Sequence, residues 1–287
     1  IAFGGGSSMD LAKAMGLMVT HEGPFERLGG SKRGMKFITK IPPLIAVPTT
    51  AGTGSEVSPG AVVILDNGMK ETFVSAFLVP VAAVCDPELT LGLPPALTAA
   101  TGMDAMTHCI EAVLTPVVHP PAEAIGVDGA ERIGKWLERA VKDGSDRDAR
   151  WHMMMGSFEG ALAFAKGLGA VHGLSHALGR IHELKLHHGT LNAVILPHSL
   201  SMIGNAAEEK FARLRRALGL APNADLAQYI ADLNARIGLP TNLRGMGVTE
   251  AHFSDATRDY AVSDLATLSN AVPFNGEKYG ELFQRAL

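Results

Sequence analysis

The sequence predicts two regions of different fold class, an α/β region followed by an all-helical region. Two observations carry this prediction. Up to about Pro94, short apolar runs such as PLIAVPTT and GAVVIL alternate with glycine- and proline-marked turns, which is typical of strands. From PPALTAATGMDAMTHCIEAVL onward, apolar residues recur at the i, i+3, i+4 spacing of amphipathic helices. Because adjacent prolines can open a helix but not continue one, we expect residues 1–93 and 94–287 to form separate domains.

The first element is a strand that runs through a glycine-rich turn into a helix, in IAFGGGSSMDLAKAMGLM. Glycines bring backbone close to a phosphate, and the first N–H groups of a helix point at the anion. We expect Ser7 or Ser8 to cap this helix and Asp10 to lie in its first turn. The alternative is a strand-to-helix turn that holds no ligand. Since an α/β nucleotide fold usually has elements before its phosphate turn, we also expect residues before Ile1 in the complete protein.

Further along the α/β region, VPTTAGTGSEVSPG follows an apolar strand with a loop of threonines and glycines. Its hydroxyls suit phosphate or ribose contacts, whereas the alternative is an ordinary Ser/Thr turn. The next apolar run, FVSAFLVPVAAVCD, has the pattern of strand, and its stretch AFLVPVAAVC, Ala76 to Cys85, is predicted to be buried strand. In the second region, helices are predicted at AEAIGVDGAERIGKWLERAV, ARWHMMMGSFEGALAFA and EEKFARLRRALGL.

Composition narrows the function classes. The 287 residues are 47% hydrophobic, enough for buried cores, and the net charge of −4 comes without a run of lysines or arginines. Nucleic acid and anionic membranes are therefore not expected partners. Cys85 and Cys109 are too few for a disulfide framework and lack CxxC spacing, which favours a reducing cytoplasm. The longest apolar stretches are too short to span a bilayer.

Histidines cluster in VHGLSHALGRIHELKLHHG. His172 and His176 are four residues apart and share one helix face, as do Asp104 and His108 in GMDAMTHCIEA. A carboxylate and imidazoles on facing helices can converge on one divalent metal ion, and these donors suit Fe²⁺ or Zn²⁺ better than Ca²⁺ or Mg²⁺. For any single histidine, the alternative is a hydrogen-bonded core residue.

Four motifs together resemble the iron-containing (group III) alcohol dehydrogenases. They are GGGSSMDLAK, VPTTAGTGSEV, DPELTLGLPPALTAATGMDAMTHCIEA and the segment from AVHGLSHALG to HHGTLNAVILPH. The resemblance implies a partial Rossmann-like α/β domain that binds NAD or NADP, followed by an all-α metal-binding domain, with the active site between them. It also implies a homo-oligomer, and a small alcohol, aldehyde or ketone as substrate.

The resemblance also implies roles for individual residues. Asp104, His108, His172 and His188 would bind Fe²⁺, or alternatively Zn²⁺, and His176 would lie near the nicotinamide. The cofactor would contact Gly5, Gly6, Ser7 and Asp10 on its pyrophosphate side, and Thr49, Thr50 and Thr53 on its phosphate and nicotinamide side. The stretch from His176 to the HG pair is about two residues longer than the common family pattern. His188 keeps the HG..NA context and is therefore preferred to His187 and His182.

The implied mechanism is hydride transfer. The metal would act as a Lewis acid on the substrate oxygen while the nicotinamide exchanges hydride with the substrate carbon, and His176 would relay the hydroxyl proton. Pro273 to Asn275 would close over the cleft. Alternatives of the same fold are glycerol dehydrogenase-like, dehydroquinate synthase-like and maleylacetate reductase-like enzymes. An alternative of another class is a non-enzymatic metal-binding helical protein.

Overall fold

The computed structural model describes residues 1–66 and 70–287. The strands of these residues are β1 (Ala2–Gly4), β2 (Ile45–Pro48), β3 (Gly60–Ile64), β4 (Lys70–Val74) and β5 (Ala82–Ala83). The α-helices are α1 (Gly6–Thr20), α2 (Pro95–Leu114), α3 (Pro120–Lys142), α4 (Arg147–Ala163), α5 (Ala170–Leu178), α6 (His188–Ile203), α7 (Glu208–Ala217), α8 (Leu226–Arg236), α9 (Asp255–Ser263) and α10 (Gly276–Ala286). The predicted order of an α/β region and then an all-helical region is confirmed.

A parallel sheet in the order β1-β2-β5 forms the centre of the α/β region, and β3 and β4 form an antiparallel hairpin beside it. Ala2 pairs with Ala46 and Gly4 with Pro48, so β1 and β2 end at the same edge. The glycine turn after β1 and the threonine loop after β2 therefore lie side by side. This carboxyl edge is where open α/β sheets bind ligands.

The start of α1 differs from the sequence prediction. The helix begins at Gly6 with Gly5 in the N-cap position and no side-chain cap. Ser7 and Ser8 therefore lie inside the first turn, and Asp10 follows that turn. The three consecutive glycines explain this difference, because they let the chain enter the helix directly after the strand without a side-chain acceptor.

The apolar run after β4 was wrongly predicted to be buried strand. After Val74 the chain forms a short helical turn at Ala76–Leu78, where the Ser75 hydroxyl accepts a hydrogen bond from the Phe77 N–H. Strand pairing resumes only at β5. Phe77 is 51% exposed and Val81 69% exposed, so apolar character here does not mark burial. Pro80 adds to the interruption because it has no N–H to offer a ladder.

Helix α2 lies at the centre of the helical region and packs against α3, α4 and α6. Every residue from Thr98 to Leu114 is buried, so this helix is covered on all sides. The helices predicted at α2, α3, α4 and α7 are confirmed. Among residues 1–66 and 70–287, none of the helices combines the length and the hydropathy of a membrane-spanning segment.

Candidate metal centre and cofactor edge

Helix α2 places Asp104 and His108 one turn apart on the same face. The Nε2 atom of His108 lies 3.8 Å from Oδ1 of Asp104, and both side chains are buried. Burial lowers the pKa of His108 to about 4, against the opposing attraction of Asp104. A neutral imidazole keeps a lone pair for a metal ion, so this turn of α2 offers two donor atoms.

Helix α5 brings His172 to the same point. Its Nε2 lies 3.9 Å from Asp104 Oδ1, and its Nδ1 lies 2.6 Å from Oε2 of Glu111. Burial opposes the charged form of His172, but the hydrogen bond and the charge of Glu111 outweigh it and raise the pKa. Glu111 also accepts a hydrogen bond from the Val171 N–H at 2.8 Å. A proton shared between Nδ1 and this carboxylate leaves Nε2 of His172 directed at Asp104.

His188 is the first residue of α6 and completes the group. Its Nε2 lies 3.5 Å from Asp104 Oδ1, and its Nδ1 lies 2.9 Å from the hydroxyl of Ser175. Burial, followed by the charges of His176 and Lys70, holds the pKa of His188 well below its ordinary value. We call Asp104, His108, His172 and His188 the four-residue cluster. His187 and His182 are exposed on the loop before α6, and His187 lies beside Thr190 instead.

His176 lies one helical turn after His172 at the margin of this cluster. Its ring stacks on that of His188 with centroids 5.2 Å apart, and its Nδ1 lies 3.0 Å from Oδ2 of Asp264. Burial would raise the pKa of Asp264, but the charge of His176 and its hydrogen bond lower it overall. The side chains of His176 and His188 are 18% and 31% exposed, so the cluster is open to solvent on this side.

The carboxyl edge of the parallel sheet provides a second site, built mainly from backbone. The N–H of Thr49 donates to the carbonyl of Gly4 at 3.0 Å, which fixes the threonine loop against the glycine turn. An added Cβ would lie 3.3 Å from Thr50 at Gly5 and 2.6 Å from Thr53 at Gly6. The two loops therefore meet so closely that Gly6 has no room for a side chain.

Asp10 and Lys13 support this edge from α1. Asp10 accepts hydrogen bonds from the Ser55 hydroxyl at 2.6 Å and the Val62 N–H at 3.0 Å. The Lys13 ammonium donates to the carbonyls of Ser55, Ser58 and Gly60. Burial lowers the pKa of Lys13 to about 8 despite the attraction of Asp10. Both oxygens of Asp10 are thus engaged within the protein, and its predicted contact with the cofactor stays a prediction.

The cluster fits a divalent metal ion. Tetrahedral ligands about 2.1–2.3 Å from a central ion are separated by roughly 3.4–3.8 Å, which is close to the distances from Asp104 to the three imidazoles. One carboxylate and three imidazoles also suit Fe²⁺ or Zn²⁺. A buried polar atom next to the cluster also favours a ligand, because Oδ1 of Asn192 has no hydrogen-bond partner among the described residues.

Comparison with known proteins agrees with this geometry. Residues 98–287 match the C-terminal part of the Fe-containing alcohol dehydrogenase family, and residues 1–87 match the iron-containing alcohol dehydrogenases. The chain belongs to the iron-containing alcohol dehydrogenase family. It is a metal-dependent oxidoreductase with a divalent metal ion and a nicotinamide dinucleotide as cofactors.

Among relatives in this family, a 4-hydroxybutyrate dehydrogenase from Cupriavidus necator is 55% identical over the whole chain, which covers 77% of that protein. A 1,3-propanediol dehydrogenase from Citrobacter freundii is 37% identical, also over the whole chain and 75% of its own length. The chain resembles the crystal structure of a 1,3-propanediol oxidoreductase with a TM-score of 0.92 and 34% identity, covering 99% of this chain and 76% of the other.

A sulfoacetaldehyde reductase from Bifidobacterium kashiwanohense in complex with NAD⁺ is also similar, with a TM-score of 0.86 and 29% identity over 99% of this chain and 75% of the other.

Four residues that contact or surround the candidate metal centre were missed by sequence reasoning. They are Lys70, Glu111, Asn192 and Asp264. Glu111 follows Asp104 by seven residues, so helical spacing on α2 could have placed it on the same face. Asn192 follows His188 by one turn in the same way. Lys70 and Asp264 approach from distant parts of the chain, and no local pattern announces them.

Lys70 marks where the hairpin of the α/β region meets the metal centre. Burial lowers the pKa of this lysine, against the opposing charges of Asp264, Asp104 and Asp10 in that order of influence. These three carboxylates belong to the loop after α9, to the cluster and to the cofactor edge. The Lys70 ammonium is therefore within range of negative charges from both the candidate metal centre and the candidate cofactor edge.

Proposed function

We propose that this protein transfers a hydride between NAD or NADP and a small primary alcohol or aldehyde that carries a terminal carboxylate. The observation that carries the reaction type is the convergence of Asp104, His108 and His172, with His188 Nε2 3.5 Å from Asp104 and His176 beside them. When bound there, a divalent cation supplies Lewis-acid polarisation of the substrate oxygen. The nicotinamide carries the hydride.

The residues around the cluster orient its donor atoms. Glu111 accepts the Nδ1 proton of His172, and the Ser175 hydroxyl accepts the Nδ1 proton of His188. Each contact fixes the tautomer whose Nε2 lone pair faces Asp104. We propose Asp104, His108, His172 and His188 as the metal ligands on this basis, and Gly5, Gly6, Ser7, Thr49, Thr50 and Thr53 as the cofactor edge.

His176 is proposed to move the hydroxyl proton of the substrate. When its Nδ1 donates to Asp264, the Nε2 atom is free to accept a proton, and the negative charge of Asp264 stabilises the imidazolium that forms. The partial exposure of His176 gives the proton a way to solvent. We expect His176→Ala to keep the metal but to slow turnover and to shift the pH profile.

Arg180 is the residue that favours a substrate with a carboxylate. It follows His176 by four residues, and its guanidinium carbon lies 4.2 Å from the ring centroid of Tyr260. Within residues 1–66 and 70–287, no carboxylate pairs with this guanidinium. Tyr260 lies one turn before Asp264, the partner of His176. An unpaired arginine held beside the proton-transfer pair is suited to bind an anionic end of the substrate.

Two of the similar proteins favour the same substrate class. The Cupriavidus necator relative is named for 4-hydroxybutyrate, a primary alcohol with a terminal carboxylate, and it is 55% identical. The Bifidobacterium kashiwanohense protein is named for sulfoacetaldehyde, which also carries an anionic end. The propanediol enzymes are named for an uncharged diol; at 37% and 34% identity they are less similar than the Cupriavidus necator relative and more similar than the Bifidobacterium kashiwanohense protein.

A nicotinamide absorbance assay of the metal-loaded protein tests the proposal. We expect faster turnover of 4-hydroxybutanoate than of 1-butanol, with either NAD or NADP. Arg180→Gln should lower kcat/KM for 4-hydroxybutanoate by about 10- to 100-fold, the worth of a lost charge-assisted hydrogen bond, and leave 1-butanol within about threefold. Arg244→Gln, at an exposed arginine paired with Glu250, is the control. Absence of turnover with every alcohol and aldehyde would refute the oxidoreductase activity itself.

We further propose a cytoplasmic homo-oligomer without nucleic-acid or membrane partners. The supports are the net charge of −4, the two free cysteines and the family resemblance. Light scattering during size-exclusion chromatography tests the oligomeric state, and a monomer at micromolar concentration would contradict it. Elemental analysis of the purified protein distinguishes Fe²⁺ from Zn²⁺.

A further inference from the structure

Asn192 lies at the centre of the four-residue cluster. It is fully buried on α6, one turn after His188. Its side-chain nitrogen Nδ2 is 2.7 Å from Asp104 Oδ1, 3.2 Å from His172 Nε2 and 3.1 Å from His188 Nε2. The carboxamide therefore caps the triangular face formed by three of the four proposed ligand atoms.

The donors and acceptors around the Asn192 carboxamide do not match in number when no ligand is bound. A carboxamide nitrogen carries two hydrogens, but three acceptor atoms converge on it. The carboxamide oxygen Oδ1 is buried without a partner in the described part of the chain. Nearly all buried polar groups in proteins are paired. An unpaired buried oxygen next to three converging lone pairs therefore indicates that a ligand binds here.

A cation would accept the three converging lone pairs and, after rotation of the carboxamide, its oxygen as well. A metal ion about 2.1–2.3 Å from the three ligand atoms would touch the group that caps their face. An N–H group repels a cation, whereas a carbonyl oxygen attracts one. Rotation about the last side-chain torsion of asparagine exchanges Oδ1 and Nδ2, and this torsion is soft.

We propose that Asn192 is a fifth metal-facing residue, which presents its carboxamide oxygen to the cation held by the four-residue cluster. The inference rests on the proposed metal site and adds a neutral oxygen donor to its one carboxylate and three imidazoles. Asn192 then acts on the metal affinity and the donor geometry of the site.

Zinc affinity tests this proposal, measured by competition between the purified protein and a chromophoric chelator. Asn192→Ala should weaken Zn²⁺ binding by about 10- to 100-fold, the range for groups that support a metal site. Asn192→Asp keeps an oxygen in the same place, so it should bind Zn²⁺ at least as tightly as the unaltered protein. In the Co²⁺-loaded protein, the visible absorption should change in Asn192→Ala, because it reports the number and geometry of donors.

The matched control is Asn234→Ala on α8. Asn234 is also buried, its Oδ1 also lacks a partner within the described residues, and its Nδ2 donates to the carbonyl of Ala193, the next residue after Asn192. Asn234→Ala should lower the melting temperature but keep the Zn²⁺ affinity and the Co²⁺ spectrum.

Three results would overturn the proposal. Unchanged Zn²⁺ affinity in folded Asn192→Ala would make the residue structural only. Equal loss in Asn192→Asp and Asn192→Ala would show that the carboxamide donates N–H to Asp104 instead. An unaltered protein that binds no stoichiometric Zn²⁺ or Fe²⁺ would remove the proposed metal site itself, which is a distinct outcome.

Discussion

The helical and α/β regions hold their functional groups in different ways. The candidate metal centre is made of side chains on α2, α5 and α6, and α2 is buried from Thr98 to Leu114. The candidate cofactor edge is made of backbone and small side chains, on strands of two to five residues. Packing fixes the position of a side-chain ligand, whereas a backbone edge depends on how closely two loops approach. Substitutions in the two regions should therefore have separable effects.

The two regions nevertheless meet. The threonine loop lies on the helices of the metal-binding region, because an added Cβ would lie 2.7 Å from Thr101 at Gly52 and 2.0 Å from Ala161 at Gly54. The negative charges of Asp104 in the cluster and of Asp10 at the cofactor edge also act on the Lys70 ammonium. The loop of residues 49–55 therefore fixes the candidate cofactor edge relative to the candidate metal centre, although the two are built from different kinds of groups.

The largest separable effect is expected at the metal centre. His188→Ala removes an imidazole from the cluster and should lower metal affinity by more than about 100-fold, and most of the activity with it. His187→Ala is the matched control, since this neighbour is exposed and points to Thr190. Metal content by mass spectrometry decides between them. A metal-free His187→Ala beside a metal-replete His188→Ala would move the ligand to the preceding residue.

The second effect is expected at the cofactor edge. Gly6→Val places atoms where Thr53 lies, because even a Cβ would approach Thr53 Cγ2 to 2.6 Å. The KM for NAD or NADP should rise by at least about 10-fold, while metal content stays unchanged. The control is Gly92→Val, since an added Cβ at Gly92 meets nothing within 4 Å. Loss of metal together with cofactor binding would break the separation between the two regions.

The features that could be predicted from the sequence lie mainly in the helical region, and the wrong predictions lie in the α/β region. The Asp104–His108 and His172–His176 pairs were predictable because helical periodicity fixes which side chains share a face. Preference for His188 came from its HG..NA context; its Nε2 lies 3.5 Å from Asp104 Oδ1, and its role as a ligand stays a prediction. The start of α1 and the run after β4 were wrong, since glycines and prolines in short segments leave several backbone paths open.

Contacts between distant segments could not be predicted. Asp264 reaches His176 from 88 residues further along the chain, and Glu111 reaches His172 across 61 residues. Neither pair has a local pattern, because tertiary packing alone creates it. Domain limits at 93 and 94 stay a prediction, as do the individual cofactor contacts.

A third, smaller effect tests the loop that joins the regions. Gly54 has a φ of +62°, a left-handed conformation that favours glycine, and an added Cβ would overlap Ala161. Gly54→Ala should therefore lower the free energy of unfolding by about 1–3 kcal/mol. It should also raise the cofactor KM and reduce metal occupancy together, unlike Gly6→Val.

The double variant Gly54→Ala/Ala161→Gly removes the overlap and should recover part of the stability. Urea unfolding and metal analysis measure both, and a stability loss with metal and cofactor binding intact would show that the loop does not couple the regions.

The smallest effect concerns pH and is confined to the metal centre. Burial lowers the pKa of His108 to about 4, whereas the unfolded chain has the ordinary value of 6.5. Between these values the unfolded chain takes up a proton that folded His108 does not, so the free energy of unfolding of the metal-free protein falls as pH falls. The contribution of His108 to stability is fully present above pH 6.5. Near pH 4, the loss of this contribution has lowered the free energy of unfolding by about 1–3 kcal/mol. The pKa of His172 is raised, so its contribution to stability is lost as pH rises and opposes that of His108.

Urea unfolding of chelator-treated protein at several pH values tests this expectation. The free energy of unfolding should change less steeply with pH in His108→Gln than in the unaltered chain. Equal slopes would mean that His108 takes up its proton in the folded state as readily as in the unfolded chain, and the metal centre would then not hold this imidazole neutral.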